Sequence, residues 1–332
     1  VKKVLQRTKG SKVASPAPLV ATSRSIVHLP DIGQLPDGAR LESTEAAVSS
    51  TSFAERKTAG LVKGGLSLTN YHKIMNDLYE EVLGEHFMVH FPYYGARNDT
   101  LIDCQINLTE ACLRRFPELK GKRVLEVGCG NGVQAIYTLI HYGPDWVTGL
   151  DFNGDNVRLG TRIAAEKGLS NIDFVEADAQ SMDAIPDASY DCILNVESAF
   201  HYPDKNAFFR EMNRVLKPGG TFVIADILMK PNRRNVLLRW WERRMSQNYW
   251  PLDRYKRRLA AAGLVVTEEE DITEPVLRGF ATHRRWFRQY KFRGLIRRLL
   301  IMTFAKLQVF RHVHYLRKIN TYNIFVGHRP AE

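Results

Sequence analysis

A short apolar segment recurs five times in the middle of this chain with an amphipathic helical stretch between each pair, and that alternation limits the fold more than any other feature. The strand candidates are Arg123 to Val127, Trp146 to Asp151, Ile172 to Glu176, Tyr190 to Val196 and Thr221 to Asp226. Such repeats call for an α/β architecture, a doubly wound and mainly parallel sheet with ligand chemistry at the carboxyl ends of its strands. After Asp226 the alternation is interrupted by a basic aromatic segment, Met229 to Trp250, and resumes with a helix, Leu252 to Ala262, and a strand, Gly263 to Thr267. A second insertion, Pro275 to Lys318, precedes a last strand, Tyr322 to Gly327.

Upstream the texture differs. Residues 1–60 are rich in Ser, Thr, Ala and Pro, show little hydrophobic periodicity, and hold no acidic residue before Asp31, which reads as a disordered tail. Lys2, Lys3, Arg7, Lys9 and Lys12 among Ser and Ala also have the composition of an organelle transit peptide. From 61 to 120 the pattern is helical: Tyr71, Ile74, Met75, Leu78 and Val82 recur at helical spacing, as do Leu101, Cys104, Leu108 and Cys112. Between them runs an aromatic link, Phe87 to Gly95, FMVHFPYYG. The expected organisation is a tail (1–60), a helical lid (61–120), a core (121–274, with an insertion at 229–250), a basic helical cap (275–318) and a last core strand (319–332).

Charge is regional. The chain has 47 Lys and Arg against 36 Asp and Glu, a net of +11, yet from Lys230 onward the count is 23 to 8, leaving residues 1–229 at 24 to 28. Between Pro275 and Lys318 there are 12 basic residues and no acidic one. Cys104, Cys112, Cys129 and Cys192 show neither CxxC spacing nor histidine partners, so neither a metal site nor a disulfide framework is expected, and a reducing, cytoplasmic compartment fits. The longest apolar run, around Leu299 to Ala305, is far too short to span a bilayer.

The first strand, VLEV, runs into GCGNG, placing Gly128, Gly130 and Gly132 where a strand turns into a helix. Glycines there let the backbone adopt positive φ and approach a ligand closely, and the helix start offers free N–H groups. Nicotinamide and flavin enzymes use such loops too. Two details point away from them: Val133 stands where the dinucleotide fingerprint has its third glycine, and acidic Glu126 precedes the loop. Asp151 closes the second strand about 20 residues on, the spacing at which a carboxylate accepts from ribose hydroxyls. Asp178, in EADAQ after the third strand, is suited to accept from an adenine amino group or to cap the following helix. The fourth strand ends NVESAFHYPD, and LKPGG leads into the fifth.

In that order and spacing, LEVGCGNG, Asp151, EADAQ, NVESAFHYPDK and RVLKPGG resemble class I S-adenosylmethionine-dependent methyltransferases. Within that class the chain is most similar to the small-molecule group of tocopherol, sterol and ubiquinone-type C-methyltransferases and phthiotriol-type lipid O-methyltransferases. The resemblance covers Leu66 to Thr267 and implies a Rossmann-like, seven-stranded sheet. The two basic insertions lie outside it, and HFPYYG departs from the HxGYY and YGWG forms of the tocopherol and sterol groups.

Carried over, the resemblance implies that Gly128, Gly130 and Gly132 pack against the methionine and ribose of the cofactor, and that Glu126 orients the loop or receives the methionine ammonium. Asp151 would bind the ribose and Phe152 contact the adenine. Asp178 and the backbone of Ala179 would read its amino edge, and Asn195 would lie near the methionine. A hydroxyl acceptor also needs a base, and His201, just past the fourth strand, is the first candidate, with His86 and His90 behind it. Phe91, Tyr93 and Tyr94 would close over the cofactor, their rings suited to a sulfonium. Trp240 and Trp241, in the first insertion, would wall the acceptor pocket or anchor at an interface.

The interleaved basic and aromatic residues of the second insertion fit three uses: nucleic acid, an anionic membrane surface, or a cap over a bulky substrate. Nucleic acid is disfavoured, because NVES replaces the Asn/Asp-Pro-Pro-aromatic motif of base-amino methyltransferases. On a helical wheel Arg297, Arg298, Lys306 and Arg311 spread around the helix, as in a packed cap with several charged edges. The expected function is methyl transfer to a hydroxyl, or a carbon, of a polyketide, prenyl lipid or sterol-like compound, in the cytoplasm or at a membrane. The alternatives are an RNA- or membrane-binding adaptor on the same fold, a nucleic-acid methyltransferase and a nicotinamide oxidoreductase.

Overall fold

A computed structural model describes residues 87–231, 247–282 and 295–331. The five apolar segments all form strands: β1 (Arg123–Val127), β2 (Trp146–Asp151), β3 (Ile172–Glu176), β4 (Tyr190–Val196) and β5 (Leu216–Met229). With β6 (Val265–Asp271) and β7 (Asn320–His328) they make one seven-stranded sheet of order β3-β2-β1-β4-β5-β7-β6. Strands β1 to β5 pair in parallel, and β7 runs antiparallel between β5 and β6.

The chain moves outward from β1 to β2 to β3 through α2 (Val133–Tyr142) and α3 (Gly154–Glu166), then returns to β4 and on to β5 through α4 (Lys205–Val215). Right-handed crossovers put helices on opposite faces when the direction of travel reverses. Accordingly Val133, Ile136, Ile163 and Ala164 bury against one face of the sheet with Val124 and Val147, while Phe208, Phe209 and Met212 of α4 bury against the other with Leu125 and Ile193. The reversal falls between β1 and β4, where the crevice at the strand ends collects ligands.

Helix α1 (Leu101–Leu113) starts in a capping box of Thr100 and Asp103 and buries Cys104, Leu108 and Cys112, the spacing expected for it. It shares its layer with α6 (Thr273–Ala281) and α7 (Leu295–Lys318), whose Val276, Phe280 and Leu316 are core residues. Helix α5 (Leu252–Ala261) lies with α4 and buries Tyr255 and Leu259. The expected cap is thus, at both ends, a packed layer of the core.

Three strands differ from expectation. β5 starts at Leu216, not Thr221, where it pairs with Tyr190 of β4, and extends beyond Asp226 to Met229 because β7 pairs with it along Thr221–Met229. β7 runs from Asn320 to His328, past both expected ends, through the same pairing. The sixth strand begins at Val265, past the left-handed turn at Gly263 (φ 80°), and runs on through Glu268, Glu269 and Glu270 to Asp271. Two of these acids find a partner in Arg115, with Glu268 at 3.1 Å and Glu270 closer, which suits a charged edge strand.

Candidate active site

The loop after β1 holds three glycines in the left-handed region, at φ 73°, 55° and 79° for Gly128, Gly130 and Gly132. Their surroundings separate their roles. A Cβ on Gly128 would lie 1.8 Å from Ser198 Oγ and one on Gly132 2.5 Å from the Phe174 ring, whereas on Gly130 it would meet nothing nearer than Val89 Cγ2 at 3.8 Å. Two of the glycines admit neighbouring elements; at Gly130 a Cβ would make only an ordinary contact with Val89. Gly132→Ala is therefore expected to cost about 3 kcal/mol of stability, from left-handed strain plus overpacking, and Gly130→Ala only about 1–2 kcal/mol, as measured by urea unfolding. Cofactor affinity should respond in the opposite sense, with Gly130→Ala losing it while still folded.

Asp151 holds this loop from the side. Its Oδ2 accepts from Gly130 N–H at 2.8 Å, and its Oδ1 accepts from Asn153 N–H at 2.9 Å and Asn156 Nδ2 at 3.1 Å. A carboxylate has about four acceptor sites, so capacity remains for a ligand hydroxyl. Glu126, in β1, is 2 % exposed, and its Oε2 has no hydrogen-bond partner. Burial first, and then the charge of Asp151, push the Glu126 carboxyl well above the ordinary range; burial also raises Asp151. None of the ion pairs among the described residues involves either acid. Two adjacent acids beside an open glycine backbone lack a cation, and a ligand bearing one fits.

Phe152 is 36 % exposed at the tip of β2, so it is not a core aromatic and its ring can meet a flat ligand. Asp178 Oδ1 accepts from Gln180 N–H and Nε2, both at 2.9 Å, which closes a turn; the chain runs from β3 to β4 without a helix, so Asp178 is not the helix cap that was one of its two readings. Its other oxygen is left for an amino donor among the described residues, and Ala179 beside it is buried.

The aromatic link is strapped to α1 by Gln105, which accepts from Met88 N–H at 3.1 Å and donates to the Met88 and His90 carbonyls, and to the glycine loop by Asn131 Nδ2 on Phe87 O at 2.9 Å. The residue it brings to Gly130 is Val89, not a tyrosine. Tyr93 and Tyr94 turn the other way. Tyr93 packs on the core in the field of Glu270 and Arg115, and Tyr94 lies under the Arg278 guanidinium at 4.2 Å, its N–H on the Pro275 carbonyl at 3.0 Å. The sequence pattern marked the link but could not say which half turns inward. His90 is also spoken for. Its Nδ1 faces the Phe91 carbonyl at 3.2 Å and so carries the proton, and Nε2 meets the Thr109 hydroxyl at 3.2 Å, while burial lowers the imidazole to about 4. It is a neutral structural histidine.

At the tip of β4 the fully buried Asn195 ties the strands together, donating from Nδ2 to Val127 O at 2.7 Å and Tyr202 Oη at 3.2 Å and leaving its Oδ1 unpaired. Ser198, the neighbour of Gly128, hydrogen-bonds Tyr202. His201 ends a helical turn, Ala199–His201, its ring 4.2 Å from that of Phe200 and partly exposed. The residue missed from the sequence is Glu197. It takes φ 50°, its carboxyl accepts from the Phe91 N–H at 2.6 Å, and burial, the largest influence, raises it to about 8. Left-handed backbone at a non-glycine residue is a signature of functional strain that composition does not display. Trp240, Trp241 and His86 lie outside the described residues, as do residues 1–60 and the expected first lid helix.

Residues 118–251 match a family model described as a methyltransferase domain. Over 162 residues the chain is 34% identical to a fatty-acid O-methyltransferase of Mycolicibacterium smegmatis, covering 49% of this chain and 51% of that protein. Over 176 residues it is 36% identical to a probable phthiotriol/phenolphthiotriol dimycocerosates methyltransferase 2 of Mycobacterium ulcerans, covering 53% and 59%. The chain thus spans about half the length of the curated relatives it matches. Among solved structures, geranyl diphosphate C-methyltransferase from Streptomyces coelicolor A3(2) superposes with a TM-score of 0.65 at 15% identity, covering 85% of this chain and 100% of that one.

Proposed function

Residues 118–251 are a methyltransferase domain, and from the site they build we infer that the chain moves the methyl of S-adenosylmethionine to a hydroxyl oxygen of a hydrophobic small molecule. The observation that carries the reading is the pair of acids without a cation among the described residues, Glu126 and Asp151, beside the glycine loop whose Gly130 N–H donates to Asp151. When bound, the cofactor supplies a methyl on a positively charged sulfur, an electrophile that needs no further activation.

The chain's own residues then have three tasks. Glu126 holds the cofactor's ammonium, Asp151 its ribose, and Phe152 with Asp178 its adenine. The Phe87–Val89 half of the link covers the glycine loop and excludes water, which strengthens the electrostatics beneath it. The third task is to take the acceptor's proton, and the tip of β4 offers Glu197 and His201. Glu197 is favoured because its strained backbone is fixed by the link that covers the site, and because a carboxyl near 8 is matched to a base working near neutrality. The Phe91 that Glu197 holds is itself fixed against the core, its ring edge-on to Phe280 at 5.1 Å and to Tyr322 at 6.2 Å. That relatives at 34% and 36% identity are named for fatty acid and phthiotriol substrates supports a hydrophobic acceptor.

The direct test incubates the full chain with S-adenosylmethionine and a series of long-chain hydroxylated lipids and follows S-adenosylhomocysteine release. Turnover should rise with acceptor chain length. Failure of the chain to bind S-adenosylhomocysteine in a calorimeter would end the reading.

A further inference from the structure

Helix α7 has two unlike faces. Its inner face is sequence-specified packing: Leu316 is buried, Val309 and Val313 pack on the core, and the His312 ring stacks on Phe280 at 5.9 Å and meets Phe91 edge-on at 4.7 Å. The outer face follows the helical repeat through Leu299, Thr303, Lys306, Leu307, Phe310, His314, Arg317 and Lys318, all exposed. Three of these are large apolar side chains, with Leu299, Leu307 and Phe310 at 66 %, 63 % and 70 % exposure. The spread of basic residues on a helical wheel hid this pattern, because the wheel could not show which arc the core covers.

Exposed bulky apolar groups in a row on a soluble fold mark a surface that meets something. The charge identifies what. No Asp or Glu stands between Glu274 and Glu332, so the face is purely basic, with Lys306, Arg317 and Lys318 flanking the apolar row. A nucleic-acid partner has no need of three unshielded hydrocarbon side chains, and a protein partner would have to be acidic to meet so unopposed a field. An anionic bilayer satisfies both halves at once: Leu and Phe enter the acyl boundary while Lys and Arg snorkel to the headgroups. Among the described residues no helix is long and apolar enough to cross a membrane, which leaves α7 lying along the surface.

We propose that the outer face of α7 docks the chain on an anionic phospholipid surface, and, resting on the functional reading above, that this is where a hydrophobic acceptor enters. The inner face gives the second half its route. The Phe91 ring meets His312 of α7 at 4.7 Å and the Phe91 N–H donates to Glu197, so a continuous chain of contacts runs from α7 to the tip of β4.

The experiment is flotation of the full chain with vesicles of phosphatidylcholine alone or mixed in equal parts with phosphatidylglycerol. The wild type should float with the mixed vesicles, fail to float with the neutral ones, and detach as salt is raised. The double variant Leu307→Ser, Phe310→Ser and the single variant Lys306→Glu should each lose at least about tenfold in partition, with S-adenosylhomocysteine affinity unchanged in a calorimeter. All three positions are exposed, so folding is not at stake. Absence of vesicle binding by the wild type, partition indifferent to these substitutions, or a self-associated species that the double variant converts to monomer would each overturn the docking. Because cofactor affinity is read separately, loss of docking with binding intact leaves the functional reading standing, and the reverse result leaves the docking standing.

Discussion

Asp151→Ala is expected to weaken S-adenosylhomocysteine binding to the full chain by about two orders of magnitude, equivalent to ~3 kcal/mol, as read by isothermal titration. Two losses add up to this. The ribose hydroxyls lose a charged acceptor, and Gly130 N–H, Asn153 N–H and Asn156 Nδ2 lose the carboxylate that positions the loop. The second loss also shows in the fold, where urea unfolding should report a decrease of about 1–2 kcal/mol. Asp151→Asn divides the two effects. Its amide oxygen can accept on one side only and its NH2 confronts a donor on the other, so affinity should fall nearly as far as in the alanine variant. Loss of less than about tenfold in Asp151→Ala would remove Asp151 from the ribose and leave it a loop fastener.

The legibility of this site follows from how local each signal is. The strands β1 to β4 have the limits expected of them because each is an apolar run bounded by turn residues, and the spacing from Gly130 to Asp151 is a property of one strand-helix-strand unit. β6 was harder to place, because a strand made of Glu268, Glu269 and Glu270 breaks the apolar pattern; only β7 beside it and Arg115 across from it make it a strand. The link illustrates the same limit. Its aromatic density announced a covering element, but whether Val89 or Tyr93 faces Gly130 depends on Gln105, Asn131 and Arg278, residues 16 or more positions away from Val89 and set by tertiary packing. Lys205 is fully buried with its ammonium on the Asn248 carbonyl, and burial lowers it to about 8, a placement set by a residue 43 positions away. Glu197 was invisible for a further reason. Its distinguishing features, a positive φ and a bond to Phe91 across 106 positions, are not properties of a segment at all.

Glu197→Gln is the second substitution expected to have a large effect, and it isolates the chemistry from the fold. Glutamine keeps an oxygen to accept the Phe91 N–H and the same backbone preferences, so the link should stay in place while the proton acceptor is lost. Methyl transfer to a hydroxyl acceptor should fall by about 10²–10⁴-fold with S-adenosylhomocysteine affinity retained. The pH profile supplies the decisive readout. In the wild type kcat/KM should rise with pH through about 8, where the carboxyl ionises, and the variant's residual rate should lack that inflection. Stability should move with the opposite sign. The folded-state value lies above the ordinary 4.5, so the folded chain holds this proton more tightly than the unfolded one; the contribution is full below about 4.5 and is lost as pH rises through about 8. Glu197→Gln removes that slope and should be at least as stable as the wild type under alkaline conditions; this reports the burial of the carboxyl, and the kinetic inflection reports its role as base. If His201 is the base instead, Glu197→Gln will retain the inflection and His201→Ala will abolish it. The same two variants therefore decide which residue at the tip of β4 takes the proton.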